Sequence, residues 1–200
     1  MSSFTVTFDY RCPFARIAHL HILDGLAQGA DWKVHFSPFS LTQAKVEESD
    51  PGCAWQDTES DTGLLALEVS MAVRDHFPEA FNDLHRNLFN LRHVDFGSLA
   101  SRDDLSGAIE GSGLSAKEVF ELVDTKEALK TVQREHEASV AENSVWGVPT
   151  FIANGQAAFV RLMDEPSADG KPAIEVVNNI INMLQEWPQL NEFKHTTLDR

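Results

Sequence analysis

The chain opens on an alternation of apolar and polar residues and passes at once to a helical period. Phe4–Tyr10 (Phe-Thr-Val-Thr-Phe-Asp-Tyr) alternates and is rich in aromatic and β-branched residues, which predicts a strand. From Pro13 to about Ala27, the residues Phe14, Ile17, Ala18, Leu20, Leu23 and Leu26 form a broad apolar face suited to packing on a sheet. Gly25 and Gly29 bracket its end, and Trp32–Phe39 alternates again as a second strand. A strand–helix–strand unit of this length is a right-handed crossover between parallel strands. Residues 40–60, which include Glu47-Glu-Ser-Asp-Pro-Gly52, are polar and turn-rich and are expected to form a loop.

From about Thr62 to Asn143 the period is helical throughout. Phe81, Leu84, Leu88 and Leu91 repeat on one face, with Pro78 at the helix start, and Leu129, Val132, His136 and Val140 form a second stripe. Capping boxes are read at Ser115–Glu118 and Asp124–Glu127, so four or five helices are expected here. Strand character returns at Pro149–Ala153, turns at Asn154-Gly155 and comes back along Ala157–Leu162. Pro172 begins a last helix with the stripe Ile174, Val177, Ile181 and Leu184, and Pro188 stops it. Repeats and low-complexity tracts are absent.

The candidate chemistry lies where the first strand meets the first helix, at Arg11-Cys12-Pro13-Phe14-Ala15-Arg16. Pro13 suits the first helical position, where its missing N–H costs nothing. Cys12 would then face unpaired backbone N–H groups and the positive end of the helix dipole, which lowers a thiol pKa and holds a thiolate. Arg11 and Arg16 are expected to add positive charge. The plainer reading, a buried helix-start cysteine acting as a small hydrophobe, stays open on these residues alone.

Composition narrows the class. Hydrophobic residues make up 42% of the 200, as in an ordinary globular domain. A net charge of −15 argues against nucleic acid or an anionic membrane as partner, since both need basic patches. No secretory leader or membrane span is visible, and the two cysteines, Cys12 and Cys53, make no disulfide framework, so the cytoplasm is the expected compartment. The histidines lack compact ligand spacing, and no metal site is expected. His19, two turns after Cys12 on the same helical face, is taken as a structural group.

The element order, with the pieces Phe8-Asp-Tyr-Arg-Cys-Pro-Phe14 and Trp146-Gly-Val-Pro-Thr-Phe151, resembles the thioredoxin fold in its DsbA-like branch. That resemblance implies an α/β protein, βαβ…ββα, with a large all-helical insertion. The thioredoxin core would comprise residues 1–55 and 144–188, the insertion 56–143, and the tail 189–200. It also implies that Pro149 is a cis-proline facing Cys12, with Val148 and Trp146 beside it. Pro13, Phe14, Arg16, Trp146, Val148 and Pro149 are then the expected substrate- or thiol-binding residues. Trp55 and Phe14 are expected to help Trp146 wall a cleft.

The family's redox motif is Cys-x-x-Cys, and Ala15 stands at its second position, so Cys12 has no neighbour to resolve a mixed disulfide. Three functions fit. In the first, Cys12 is a single catalytic nucleophile of a thiol-dependent oxidoreductase, resolved by a small-molecule thiol of the glutathione or mycothiol type, with no covalently bound cofactor. The second follows a further resemblance, to kappa-class glutathione transferases and 2-hydroxychromene-2-carboxylate isomerases, in which the residue orients a thiol cofactor for isomerase or transferase chemistry. The third is a non-catalytic binding module. The first two would act on a small organic or disulfide substrate, with a small-molecule thiol as partner. Cys53, in Pro51-Gly-Cys-Ala-Trp55, is on the same sheet edge as Cys12 by topology and is either a resolving thiol or an incidental loop cysteine. Arg161, after the hairpin, either binds a carboxylate or is an ordinary edge arginine.

Overall fold

The computed structural model describes residues 2–49, 55, 63–166 and 172–195. Its alternating segments form four strands, β1 (Ser2–Phe8), β2 (Trp32–Pro38), β3 (Thr150–Ala153) and β4 (Gln156–Phe159). They make one sheet in the order β2-β1-β3-β4. β1 and β2 are parallel from Ser2↔Trp32 to Phe8↔Pro38, whereas β3 runs antiparallel to both β1 and β4. The register sets Val6 beside Phe36 and Phe151, and all three are buried. Asn154 and Gly155 both take positive φ, 51° and 71°, the backbone a tight hairpin needs to match the twist of its strands.

Eight helices complete the described residues: α1 (Pro13–Ala27), α2 (Leu41–Ser49), α3 (Leu64–His76), α4 (Phe81–His93), α5 (Arg102–Glu110), α6 (Ala116–Asp124), α7 (Glu127–Asn143) and α8 (Ala173–Glu186). α1 and α8 pack on each other, α8 also covers β3 and β4, α7 lies against β2 and α3, and α4 reaches α1. The stripes read from the sequence face inward: Phe81, Leu84 and Leu88 of α4, Val132 and His136 of α7, and Val177, Ile181 and Leu184 of α8 are buried. This is the DsbA-like thioredoxin fold, with α3–α7 standing between the two parts of the sheet in the chain. No helix among the described residues is long and apolar enough to cross a membrane.

Three local readings change. Residues 41–49 are helical where a loop was expected, because Ser40 caps them: its Oγ accepts the Gln43 N–H at 3.1 Å. The charged run that followed concealed a Ser-x-x-Gln capping pair. Asp124 does not cap α7; it closes α6 and pairs with Arg102, while α7 begins after Lys126 in the left-handed region, φ 65°. β4 ends at Phe159, and Arg161 lies beyond the ladder.

A buried polar chain joins α1, α4 and the end of β1. Tyr10 Oη lies 2.7 Å from His85 Nδ1, His85 Nε2 lies 2.8 Å from His19 Nδ1, and His19 Nε2 lies 3.2 Å from the Thr7 carbonyl. The carbonyl can only accept, so His19 carries its proton on Nε2. His85 Nε2–H then donates to His19, and Tyr10 O–H donates to His85. Every member is satisfied while neutral. Burial holds His19 down at about 3, lowers His85 as well and raises Tyr10.

Both histidines have folded-state pKa values below the ordinary 6.5, so their contribution to stability is present above pH 6.5 and is lost as pH falls toward 3. Between pH 6.5 and 5, the melting temperature should fall, each histidine costing up to about 1.4 kcal/mol per pH unit. Thermal melts of the wild type and of a His19→Leu/His85→Phe variant check this. A variant as pH-sensitive as the wild type would exclude the pair as the origin.

Candidate active site

The turn from β1 into α1 is held by one buried carboxylate. Asp9 accepts the Arg11 backbone N–H at 2.9 Å, Arg11 Nε at 3.1 Å, Arg11 Nη2 at 2.6 Å and the Leu41 N–H at 2.9 Å. Its own carbonyl accepts the Cys12 N–H at 3.0 Å. Arg11 Nη1 continues to Thr42 Oγ1 at 2.6 Å. Gly63 leaves room for this guanidinium, since a Cβ there would meet Arg11 Nε at 2.7 Å.

Cys12 is the N-cap of α1, with Pro13 at the first helical position. Its Sγ accepts the Ala15 N–H at 3.4 Å and lies 3.4 Å from the Val148 carbonyl, to which the S–H donates. The Val148–Pro149 peptide is cis, and both residues are buried. Thr150 fixes this loop, its N–H donating to Thr7 Oγ1 at 2.9 Å and its hydroxyl to the Gly147 carbonyl at 2.8 Å. The thiol therefore sits between the start of α1 and the strand entering β3.

Around it, Trp146 is 68% exposed and rests on Phe159, ring centroids 4.6 Å apart. Phe14 is half-buried, and the Arg161 guanidinium lies over its ring at 5.2 Å. Arg16, one turn below Cys12, pairs with Glu165 and donates to Asn90 Oδ1 at 3.3 Å. His93 of α4 donates from Nε2 to the Tyr10 carbonyl at 2.8 Å, which ties the helical part to the Cys12 turn. Burial lowers His93, the Tyr10 carbonyl opposes that, and Arg16 adds to it. A cleft of about 450 Å³ beside β2, walled in part by Trp32, Arg74 and Phe81, contains no residue of this turn.

Several expectations are corrected here. The Cys12 thiol is not held below the ordinary cysteine range. Burial pushes it up, the Ala15 and Phe14 N–H groups pull against that, and Asp9 adds to the rise. Arg11 gives the thiol no free positive charge, because Asp9 holds its guanidinium. Trp55 is core, with its ring edge-on to His136 at 5.4 Å, and it does not join Trp146 at the rim. Cys53 lies outside the described residues. Asp9, Asn90, His93 and Glu165 escaped the sequence reading. Asp9 had a local signal, a turn-forming Asp at a strand end two residues before an Arg. The other three are distant in sequence and carried none.

The profile of the family described as "DSBA-like thioredoxin domain" matches residues 5–169. No curated protein matches the chain. Among solved structures, the chain is similar to a 2-hydroxychromene-2-carboxylate isomerase, with 14% identity, TM-score 0.64, and 95% of this chain and all of that one covered. A probable DsbA oxidoreductase from Streptomyces coelicolor matches at 14% identity and TM-score 0.64, covering 98% of this chain and 94% of that one. DsbA of Pseudomonas aeruginosa matches at 18% identity and TM-score 0.57, covering 94% and 84%. These likenesses share the fold.

In a Cys53→Ser background, the alkylation rate of Cys12 against pH should show its midpoint above the ordinary thiol value of about 8.5. Asp9→Asn should bring the midpoint down, since it removes the carboxylate and frees the Arg11 guanidinium. A wild-type midpoint well below 8.5 would contradict this description of the thiol.

Proposed function

The chain belongs to the DSBA-like thioredoxin domain family, and from that premise we propose that it is a thiol-dependent oxidoreductase working through Cys12 alone, in the reducing direction. The observation that carries the reading is the single sulfur at the α1 N-cap, with Ala15 where a resolving cysteine would stand. The raised thiol bears on the direction. A strong oxidant stabilises its reduced thiolate, and a low-pKa sulfur leaves easily. Cys12 has the opposite bias, because its S–H is held by the Val148 carbonyl and the site is partly buried.

In the first step Cys12 loses its proton to water, and Sγ attacks one sulfur of a small disulfide R–S–S–R′. The Cys12–S–S–R bond forms, the S–S bond of the substrate breaks, and R′S⁻ leaves and is protonated by water. Ala15 and Phe14 N–H groups hold the attacking sulfur during this step. In the second step a small-molecule thiolate, of the glutathione or mycothiol type, attacks the R sulfur and expels Cys12, which regains a proton. The substrate releases R′SH, and the thiol leaves as its mixed disulfide with R. Phe14 and Trp146 offer aromatic faces on either side for a flat organic group.

A second reading, thiol-dependent isomerase or transferase chemistry, is favoured by the same S–H bond. Cys12 would then stay protonated and orient a bound thiol. On the oxidoreductase reading, wild-type turnover of a small disulfide requires added thiol. Cys12→Ser should lose more than about a hundredfold in rate. Ala15→Cys should acquire an internal disulfide that a dithiol reduces. The assays are thiol-coupled disulfide reduction and isomerisation of an aromatic substrate. Substantial activity of Cys12→Ser in the second assay would replace the first reading with the second.

A further inference from the structure

We infer that Arg16 is the receptor for a carboxylate on the small molecule that meets Cys12, and that Glu165 occupies its place until that molecule arrives. This rests on the reading of Cys12 as the reacting thiol, and it narrows the ligand class of that site to anionic, carboxylate-bearing molecules.

Arg16 is one helical turn from Cys12 on α1, and its side chain is only 12% exposed. A cation so far out of water needs acceptors for its donors. It has too few. Nη1 pairs with Glu165, Nη2 reaches Asn90 Oδ1 at a long 3.3 Å, and Nε, shut from water, has no acceptor among the described residues. His93, the neighbouring titratable group from α4, has its Nε2–H committed to the Tyr10 carbonyl and supplies no negative charge. Among the described residues, one N–H of the guanidinium lacks an acceptor and a second is held only by a long bond.

The partner it does have is poorly committed. Glu165 is 55% exposed and lies on a segment without regular structure after β4. That segment lies alongside α1 and is anchored independently of Glu165. Arg161 lies over Phe14, and the Asp164 carbonyl accepts His21 Nε2–H at 3.0 Å. The Glu165 side chain can therefore swing into water, where a carboxylate is well solvated, without moving the backbone beside it. A ligand carboxylate can take over the charge-assisted bond on Nη1 and set its second oxygen on Nη2, whose bond to Asn90 is long.

The surrounding charge favours a local receptor. At a net charge of −15 the molecule as a whole repels anions, so a cation near Cys12 raises the local concentration of an anionic ligand there. Arg11 is spent on Asp9, which leaves Arg16, with Arg161 at the rim making no ion pair among the described residues. The carboxylate has two possible sources, a peptide-like thiol or an aromatic acid substrate. A neutral sugar thiol offers none.

Calorimetric titration with ligands that cannot react at Cys12 tests this, so the result stands even if the oxidoreductase reading fails. The probes are S-methylglutathione against its dimethyl ester, and cinnamate against cinnamamide. In the wild type, one acid should bind about tenfold or more tightly than its neutral counterpart, and which acid does so identifies the source. Arg16→Gln should remove the preference, and Glu165→Gln, a solvent-facing change, should strengthen the acid several-fold while leaving the neutral compound unchanged. Equal binding of each acid and its neutral counterpart, absence of binding by both acids, or an acid affinity that Glu165→Gln fails to raise would overturn the inference.

Discussion

The arrangement depends on the buried carboxylate of Asp9. It gathers N–H donors from Arg11 and Leu41, so one side chain fixes the end of β1, the entry to α1 and the start of α2. A buried charge is tolerated only when its acceptor capacity is filled, and the Arg11 fork fills most of it. The consequence falls on the neighbouring thiol. Arg11, which the sequence places beside Cys12, is drawn to Asp9 and Thr42. What remains near the sulfur is two backbone N–H groups, the Val148 carbonyl and partial burial. Burial outweighs the two N–H groups, and the protonated sulfur, donating to the carbonyl, is favoured over the thiolate.

A second constraint ties the helical part to this turn. The Tyr10–His85–His19 chain runs beneath the Cys12 turn to the Thr7 carbonyl, and Thr7 Oγ1 in turn accepts the Thr150 N–H of the loop that faces the sulfur. His93 adds a bond from α4 to the Tyr10 carbonyl. The two loops that bracket Cys12 are thus referenced to the same few polar groups at the end of β1. Because these groups are neutral and hydrogen-bonded in one direction, they hold position without placing a charge near the thiol.

The strands, α1 and the inward stripes of α4, α7 and α8 were legible because they repeat at the periods of sheet and helix. Cys12 was legible from its place before Pro13. α2 was missed because a charged run outweighed one capping pair at Ser40 and Gln43. The environment of the thiol was not legible: helix-end logic pointed toward a thiolate, and the burial and the Asp9–Arg11 pairing that reverse it arise from tertiary contact. His85 continues the stripe between Phe81 and Phe89, so its polar partners were invisible in the period. Glu165 meets Arg16 across 149 positions, a separation no local pattern reports.

The central claim is that Cys12 works as a single thiol whose covalent intermediate is resolved from solution. Intact-mass spectrometry after exposure to a small disulfide, and then to a small thiol, tests it most directly. The claim predicts a mass increase equal to one disulfide half, located at Cys12 and removed by the thiol. A protein that gains no adduct, or that loses two hydrogens by joining Cys12 to Cys53, would contradict it.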